Sequence, residues 1–402
     1  MKIFDKYVIR EHIAPFLFAF SVIMFVLVLK LMLDIMALVI SKGVGVIVLI
    51  QVLFYNLAWM VALVVPMSVL VSTVMAFGRM GSAGEITAMK ASGISMYRIA
   101  TPVVILSLLV TAGMVWFNNV ILPESNHRAR SLMSAIYLSK PMLTLKNKER
   151  QFISEIPNLT IHVEDIEYDT GEMHGVTLFR TSATEDEQTA IHAANGHFLP
   201  AGSDNNLTLV LDNGEIHRLE LDNMNRYIRG TFNLFRYNLV LNNSTDTSLR
   251  ASKTDRTMTS AEMRNEIDTI QRHLDENKPR LERLKADNAL NSAEARNLQR
   301  LTDIDRRRIH KYLIEIHKKN SIPFAALIFV LIGAPLGILV RRSGASIGIG
   351  LSIGFFMIYY LFLIGGESAG DRMLVDPWIA MWAPNITLGV VGLFLFRYAV
   401  RR

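Results

Sequence analysis

The chain has no cysteine at all, which excludes disulfides, thiolate metal sites and a cysteine nucleophile. Charge is scarce as well: 19% of the 402 residues are charged against 51% hydrophobic, too apolar a balance for an ordinary soluble domain. No Gly-x-x-x-x-Gly-Lys-[Ser/Thr] phosphate loop occurs, so chemistry on ATP is not expected of this chain. His162, His174, His192, His197 and His217 are scattered without ligand spacing, and no metal site is expected. The net charge of +6 could suggest nucleic acid, but much of the short-loop positive charge sits at the ends of apolar runs, where it reads as membrane topology.

What is abundant is membrane-length apolar sequence, in two blocks at 13–122 and 322–399. A helix needs roughly 20 apolar residues to cross a bilayer, so each block holds three spans. They fall at 13–39, 48–76, 98–122, 322–340, 345–364 and 377–399. The first apolar stretch is too long for a cleavable signal and lacks a small-residue cleavage site. With residues 1–12 inside, the inner segments hold Lys2, Lys6, Arg10, Arg79, Lys90, Arg98, Arg341, Arg342, Arg397, Arg401 and Arg402. The short outer loops hold only Lys42 and Arg372. That bias places both termini in the cytoplasm and residues 123–321 outside.

The outer segment changes character midway. Leu159–Val163, Leu207–Leu211 and Tyr237–Leu241 alternate between apolar and polar positions, with turn residues at 169–171, 202–206 and 212–214. This pattern predicts an all-β sandwich or jelly roll. From Thr259 the period becomes helical: Thr259 and Glu262 form a capping box, followed by Met263, Ile267, Ile270 and Leu274. A second run carries Leu298, Leu301, Ile304, Ile309, Leu313 and Ile316, so a hairpin turning at 288–292 is expected, kinked near Pro279. The resulting domains are 1–122, 123–250, 257–320 and 321–402.

Between spans two and three, Ser82 to Gly93 predicts a short helix that Gly93 terminates. Ile86 and Met89 share one side of it, close to Glu85. Such a helix is either a socket for a cytoplasmic partner or an amphipathic connector on lipid headgroups. Lys30 and Asp34 lie one turn apart near the outer end of span one, where a snorkelling lysine with a local ion pair is the plain reading. Gly333 with Gly337, Gly344 with Gly348 and Gly350 with Gly354 suit close helix packing.

The run Glu85-Ile-Thr-Ala-Met-Lys-Ala-Ser-Gly93 resembles the coupling helix of the LptF/LptG (YjgP/YjgQ) permease family. Asp5-Lys-Tyr-Val-Ile-Arg-Glu11, Leu122-Pro-Glu-Ser-Asn126 and Ile322-Pro-Phe-Ala-Ala326 resemble it too, as do Gly333-Ala-Pro-Leu-Gly337, Leu374-Val-Asp-Pro-Trp378 and Trp382-Ala-Pro-Asn385. The likeness covers both membrane blocks and the β insert, and the hairpin at 257–320 is the departure. It implies six transmembrane helices, three plus three, with an inserted periplasmic jelly roll, in the bacterial inner membrane. It also implies a permease subunit of an ATP-binding-cassette transporter that extracts lipopolysaccharide and passes it toward the outer membrane.

The implied partners are a cytoplasmic ATPase dimer that uses ATP and Mg, a second permease of the same family and periplasmic jelly-roll bridge proteins; nucleic acid is not expected. The chain itself would be non-catalytic and bind no cofactor. By resemblance, Glu85 faces a basic group of the ATPase while Ile86 and Met89 fill its apolar groove, in a helix bounded by Ser82 and Gly93. Lys30, Asp34, Lys42, Arg128 and Arg130 are the implied lipid-headgroup residues. The competing reading is an envelope scaffold or sensor without ATPase coupling; a proton-coupled transporter would need ionisable groups near the membrane midplane, which the spans lack.

Overall fold

A computed structural model describes residues 3–42, 46–139, 152–156, 159–167, 172–181, 187–199, 207–220, 227–239, 254–286, 293–340 and 345–401. The helices among them are α1 (Ile3–Lys42), α2 (Val46–Ser82), α3 (Glu85–Ala91), α4 (Met96–Ser139), α5 (Ser260–Ala286), α6 (Ala293–Leu339), α7 (Ala345–Asp371) and α8 (Pro377–Arg401). Six of these are long and apolar enough to span a membrane, all except α3 and α5. The β domain lies between α4 and α6, so α3 and the chain's first turns are at the opposite end of the bundle.

Two helices outrun their expected spans. α4 continues from Leu122 to Ser139 because its polar extension keeps helix-favouring chemistry, including a Glu124–Arg128 pair of 2.7 Å one turn apart. α6 joins the second arm of the hairpin to span four in one helix of 47 residues, about 70 Å long. Pro323 inside it removes the donor that Lys319 O would accept from, and Asn118 Nδ2 of α4 supplies a replacement at 3.1 Å.

α6 packs on α2, α8 and α4 and forms the bundle's spine. Glycine permits the α2 contact: a Cβ at Gly337 would meet Val74 O at 2.7 Å and Gly78 N at 2.9 Å, and one at Gly333 would press on Thr73. Gly348 lies against Val74, whereas Gly350 and Gly354 face open space and Gly344 lies outside the described residues. Of the most apolar stretch of each helix, 72% is buried in α2 and 61% in α6, but only 6% in α1 and 22% in α7. Those two helices expose their apolar faces.

The β domain is one six-stranded antiparallel sheet paired in chain order: β1 (Phe152–Ile156), β2 (Leu159–Ile166), β3 (Met173–Thr181), β4 (Glu187–Leu199), β5 (Leu207–Glu220) and β6 (Tyr227–Leu239). Ile161, Val163, Val176, Leu178, Ile191, Leu209 and Leu211 of its inner face are buried among themselves, flanked by Phe198, Phe232 and Phe235. Among the described residues this core draws on the strands alone, so the sheet folds over its own apolar face. Asp212-Asn213-Gly214 is not a turn as expected but lies inside β5. Asn213 has φ 53° there, and Gly214 leaves room for the Phe232 ring, so turn chemistry bends a long strand. The segments 169–171 and 202–206 lie outside the described residues.

The hairpin forms as its periodicity predicts. Met258, Met263, Ile267, Ile270, Ile309, Tyr312 and Ile316 make its core. Its capping box closes both ways, Glu262 N donating to Thr259 Oγ1 at 3.2 Å and Thr259 N to Glu262 Oε2 at 2.9 Å. The helix runs on through Pro279 to Ala286, and the 288–292 turn lies outside the described residues.

Candidate functional site

Two places concentrate the polar chemistry of the bundle, one at each end. At the end remote from the β domain, α3 begins at Gly84, whose φ of 78° only glycine adopts cheaply, and stops in a Schellman arrangement. There Gly93 N donates to Lys90 O and Ile94 N to Met89 O, both at 3.0 Å, with Gly93 at φ 87°. Ser82 is not the cap: it is the last residue of α2, and its hydroxyl donates to Arg79 O.

The inner side of α3 is committed to this chain. Ile86 is 3% exposed within a core that includes Val8, Phe77, Met80, Met96 and Ile99, and Met89 packs partly against it. Helical spacing turns both toward the bundle, Ile86 wholly and Met89 in part. Thr87, Ala88 and Ala91 are the exposed side chains, with Glu85 at their margin. Glu85 Oε2 accepts a hydrogen bond of 2.8 Å from Tyr7 of α1.

Two ion pairs fasten α1 to the same platform. Arg98 Nη2 lies 2.7 Å from Asp5 Oδ1, with its guanidinium over the Phe4 ring, and Arg79 pairs with Glu11. Val8 is fully buried between these residues, and His12 meets Phe77 edge-on. The first turns of α1 are thus tied to α2, α3 and α4 by charge and apolar packing together.

At the other end is a cavity of about 1190 Å³. Leu31 and Ile35 of α1, Val52 and Leu63 of α2, and Leu363 and Ile364 of α7 supply apolar wall. Arg130, Arg256, Lys311, Lys318, Lys319 and Arg372 make its rim basic, tempered by Glu315, Glu367 and Asp371. This is larger than most small-molecule pockets and has the divided polarity an amphiphile requires.

Residues 254–260, at the start of the hairpin, close over this rim as a collar. Arg130 Nη1 donates to Thr254 Oγ1 at 2.5 Å and Asn126 Nδ2 to Arg256 O at 3.2 Å. Lys319, 3% exposed, donates to Met258 O, and Ser260 bonds to Asn119. Lys318 Nζ lies 2.7 Å from Glu367 Oε1, which is also 3.6 Å from Arg256.

Among the described residues expected at a headgroup site, only Arg130 lines this cavity. Arg128 turns to Glu124 and to Tyr55, whose ring it overlies at 5.7 Å. Lys30 and Asp34 are exposed and off the cavity wall, since Leu31 and Ile35 occupy the inward positions and each residue step rotates a helix by about 100°. The side chain of Lys42 lies outside the described residues. The rim cations Arg256, Lys311, Lys318 and Lys319 escape a reading of spans because they sit in the hairpin and at its junction with span four. Lys318 and Lys319, placed directly before the apolar run that opens at Ile322, are the one local signal.

Six apolar helices carrying an inserted β domain above a basic-rimmed cavity define a multi-pass permease of the inner membrane. The model of the lipopolysaccharide export system permease family LptF/LptG matches residues 6–398, and the chain belongs to that family. No curated protein matches it.

Proposed function

We propose that the chain is the membrane subunit through which a separate cytoplasmic ATP-binding-cassette ATPase drives lipopolysaccharide out of the inner membrane. The termini and α3 face the cytoplasm, and the β domain and hairpin face the periplasm. ATP and Mg belong to the ATPase dimer, and the chain binds no cofactor of its own. A second permease covers the exposed faces of α1 and α7, where Lys30 and Asp34 lie. Acyl chains enter the cavity, phosphates meet the rim cations, and the lipid passes by way of the β domain to jelly-roll bridge proteins.

The observation that carries this reading is the seating of α3. Its exposed face, Thr87, Ala88 and Ala91 with Glu85 beside them, is open to a partner while its buried face is fixed to α1, α2 and α4. A partner that displaces α3 therefore displaces the first turns of α1, and α1 carries Leu31 and Ile35 of the cavity wall. Chemical energy released beneath the membrane reaches the lipid through a helix whose far end touches it.

Purification of the complex from its native membrane tests this, with wild type compared to Glu85→Arg. The expected result is an ATPase and a second permease with wild type, and loss of the ATPase from a normally inserted variant. An ATPase retained at wild-type level, with normal transport, would sink the assignment of α3.

A further inference from the structure

One face of α6 points to a use for the hairpin. Arg296, Arg300, Arg307, Lys311 and Lys318 recur at spacings of four, seven, four and seven. At about 100° per residue they fall within roughly 60° of one another around the helix. The first three line a shallow surface groove with Gln299 and Asp303, and the last two line the cavity. Because α6 is a single helix, groove and cavity wall are consecutive parts of one face, about 33 Å from residue 296 to residue 318.

The face is basic and outward. Arg296, Arg307 and Lys311 are exposed, the acids lining its two stretches on α6 are Asp303 and Glu315, and Lys318 at its lower end is paired with Glu315 at 3.6 Å and with Glu367 of α7 at 2.7 Å. Arg308, one position round, turns away from it to Glu266 of α5 and the Tyr312 ring.

We propose that this face is a track for the phosphorylated sugar portion of the lipid whose acyl chains occupy the cavity, an inference that rests on the export function above. An amphiphile lifted from a bilayer must keep its acyl chains from water and its sugar phosphates in water. The inner-face side chains of the β domain are apolar and buried among themselves, and give a sugar phosphate no partner. The arginine face begins at the cavity rim, stays in water and carries guanidinium groups that bind phosphate in a fork. Charge complementarity and continuity with the cavity select this occupant over an acidic protein.

The test compares the purified transporter complex with its Arg296→Gln/Arg307→Gln variant, both exposed positions. Binding is measured at two salt concentrations for lipopolysaccharide bearing a phosphorylated core and for lipid A without the core. The track predicts that the variant binds the core-bearing lipid about five-fold more weakly, with a flatter salt dependence, and lipid A equally well. Unchanged affinity for the core-bearing lipid, or an equal loss for both lipids, overturns it. Failure of wild type to bind either lipid would instead overturn the export reading beneath it. A photocrosslinker at Gln299 gives a second readout: adducts with core-bearing lipid support the track, and adducts with protein alone refute it.

Discussion

The spine of the bundle, α2 against α6, and its open side, α1 and α7, are equally apolar but differently used. In the spine the apolar surface is spent inside the chain, glycine against backbone, at separations that leave no room for a methyl group. On the open side much of it is left bare: α1 lays one face along α2, where Ile35 and Leu31 meet Val52, and two ion pairs, one hydrogen bond and a buried valine hold its first turns to the platform around α3. The contrast separates a frame that holds its shape from a helix that is tied by charge at one end and borders the cavity near the other. Close packing makes interfaces behave as discrete arrangements and not as continuously deformable ones, so displacement at the fixed end is carried along the helix.

The largest effect that would break this comparison is at Gly337. Gly337→Leu forces α2 and α6 apart and should cost about 3 kcal/mol, enough to remove most folded protein, whereas Gly354→Leu, on the open side, should leave yield and melting temperature nearly unchanged. Equal tolerance of the two, read by detergent-phase thermal melting, would erase the distinction between spine and open side.

A smaller effect sharpens what α3 is for. Ile86→Ala should destabilise the isolated chain by about 3 kcal/mol, because the side chain is buried in its own core. If Ile86 instead filled a groove on the ATPase, melting of the isolated chain would be unaffected and only ATPase binding would fall. The smallest change in stability is expected at Asp5 and Arg98, a partly exposed pair whose net contribution is of order 1 kcal/mol or less.

The sequence carries the local half of this account. The spans follow from apolar length, the hairpin from its period and capping box, and the β domain from two-residue alternation, because each signal lies within one continuous stretch of chain. Glu85 stands out through its motif, and α3 through Gly93. What is missing depends on neighbours distant in the chain. That Ile86 and Met89 face inward is decided by Val8 and Phe77, and that Ser82 ends α2 is decided by Gly84, which starts the next helix in a left-handed conformation. Asp212-Asn213-Gly214 has the composition of a turn, yet both its strand neighbours continue pairing past it, so it bends β5 instead of ending it. The rim cations are gathered from α4, the collar, α6 and the turn after α7, and no single window of sequence contains them.

Lipid release per ATP hydrolysed, measured with the complex reconstituted in liposomes, tests the transmission through α1 most directly. The variants are Asp5→Arg, Arg98→Asp and the two combined, a charge-swap cycle across the α1–α4 pair. The account predicts that each single variant keeps its ATPase and hydrolyses ATP but releases less lipid per ATP, and that the double variant recovers most of the lost ratio. Single variants with an undiminished ratio, or a double variant as poor as the worse single one, would contradict it.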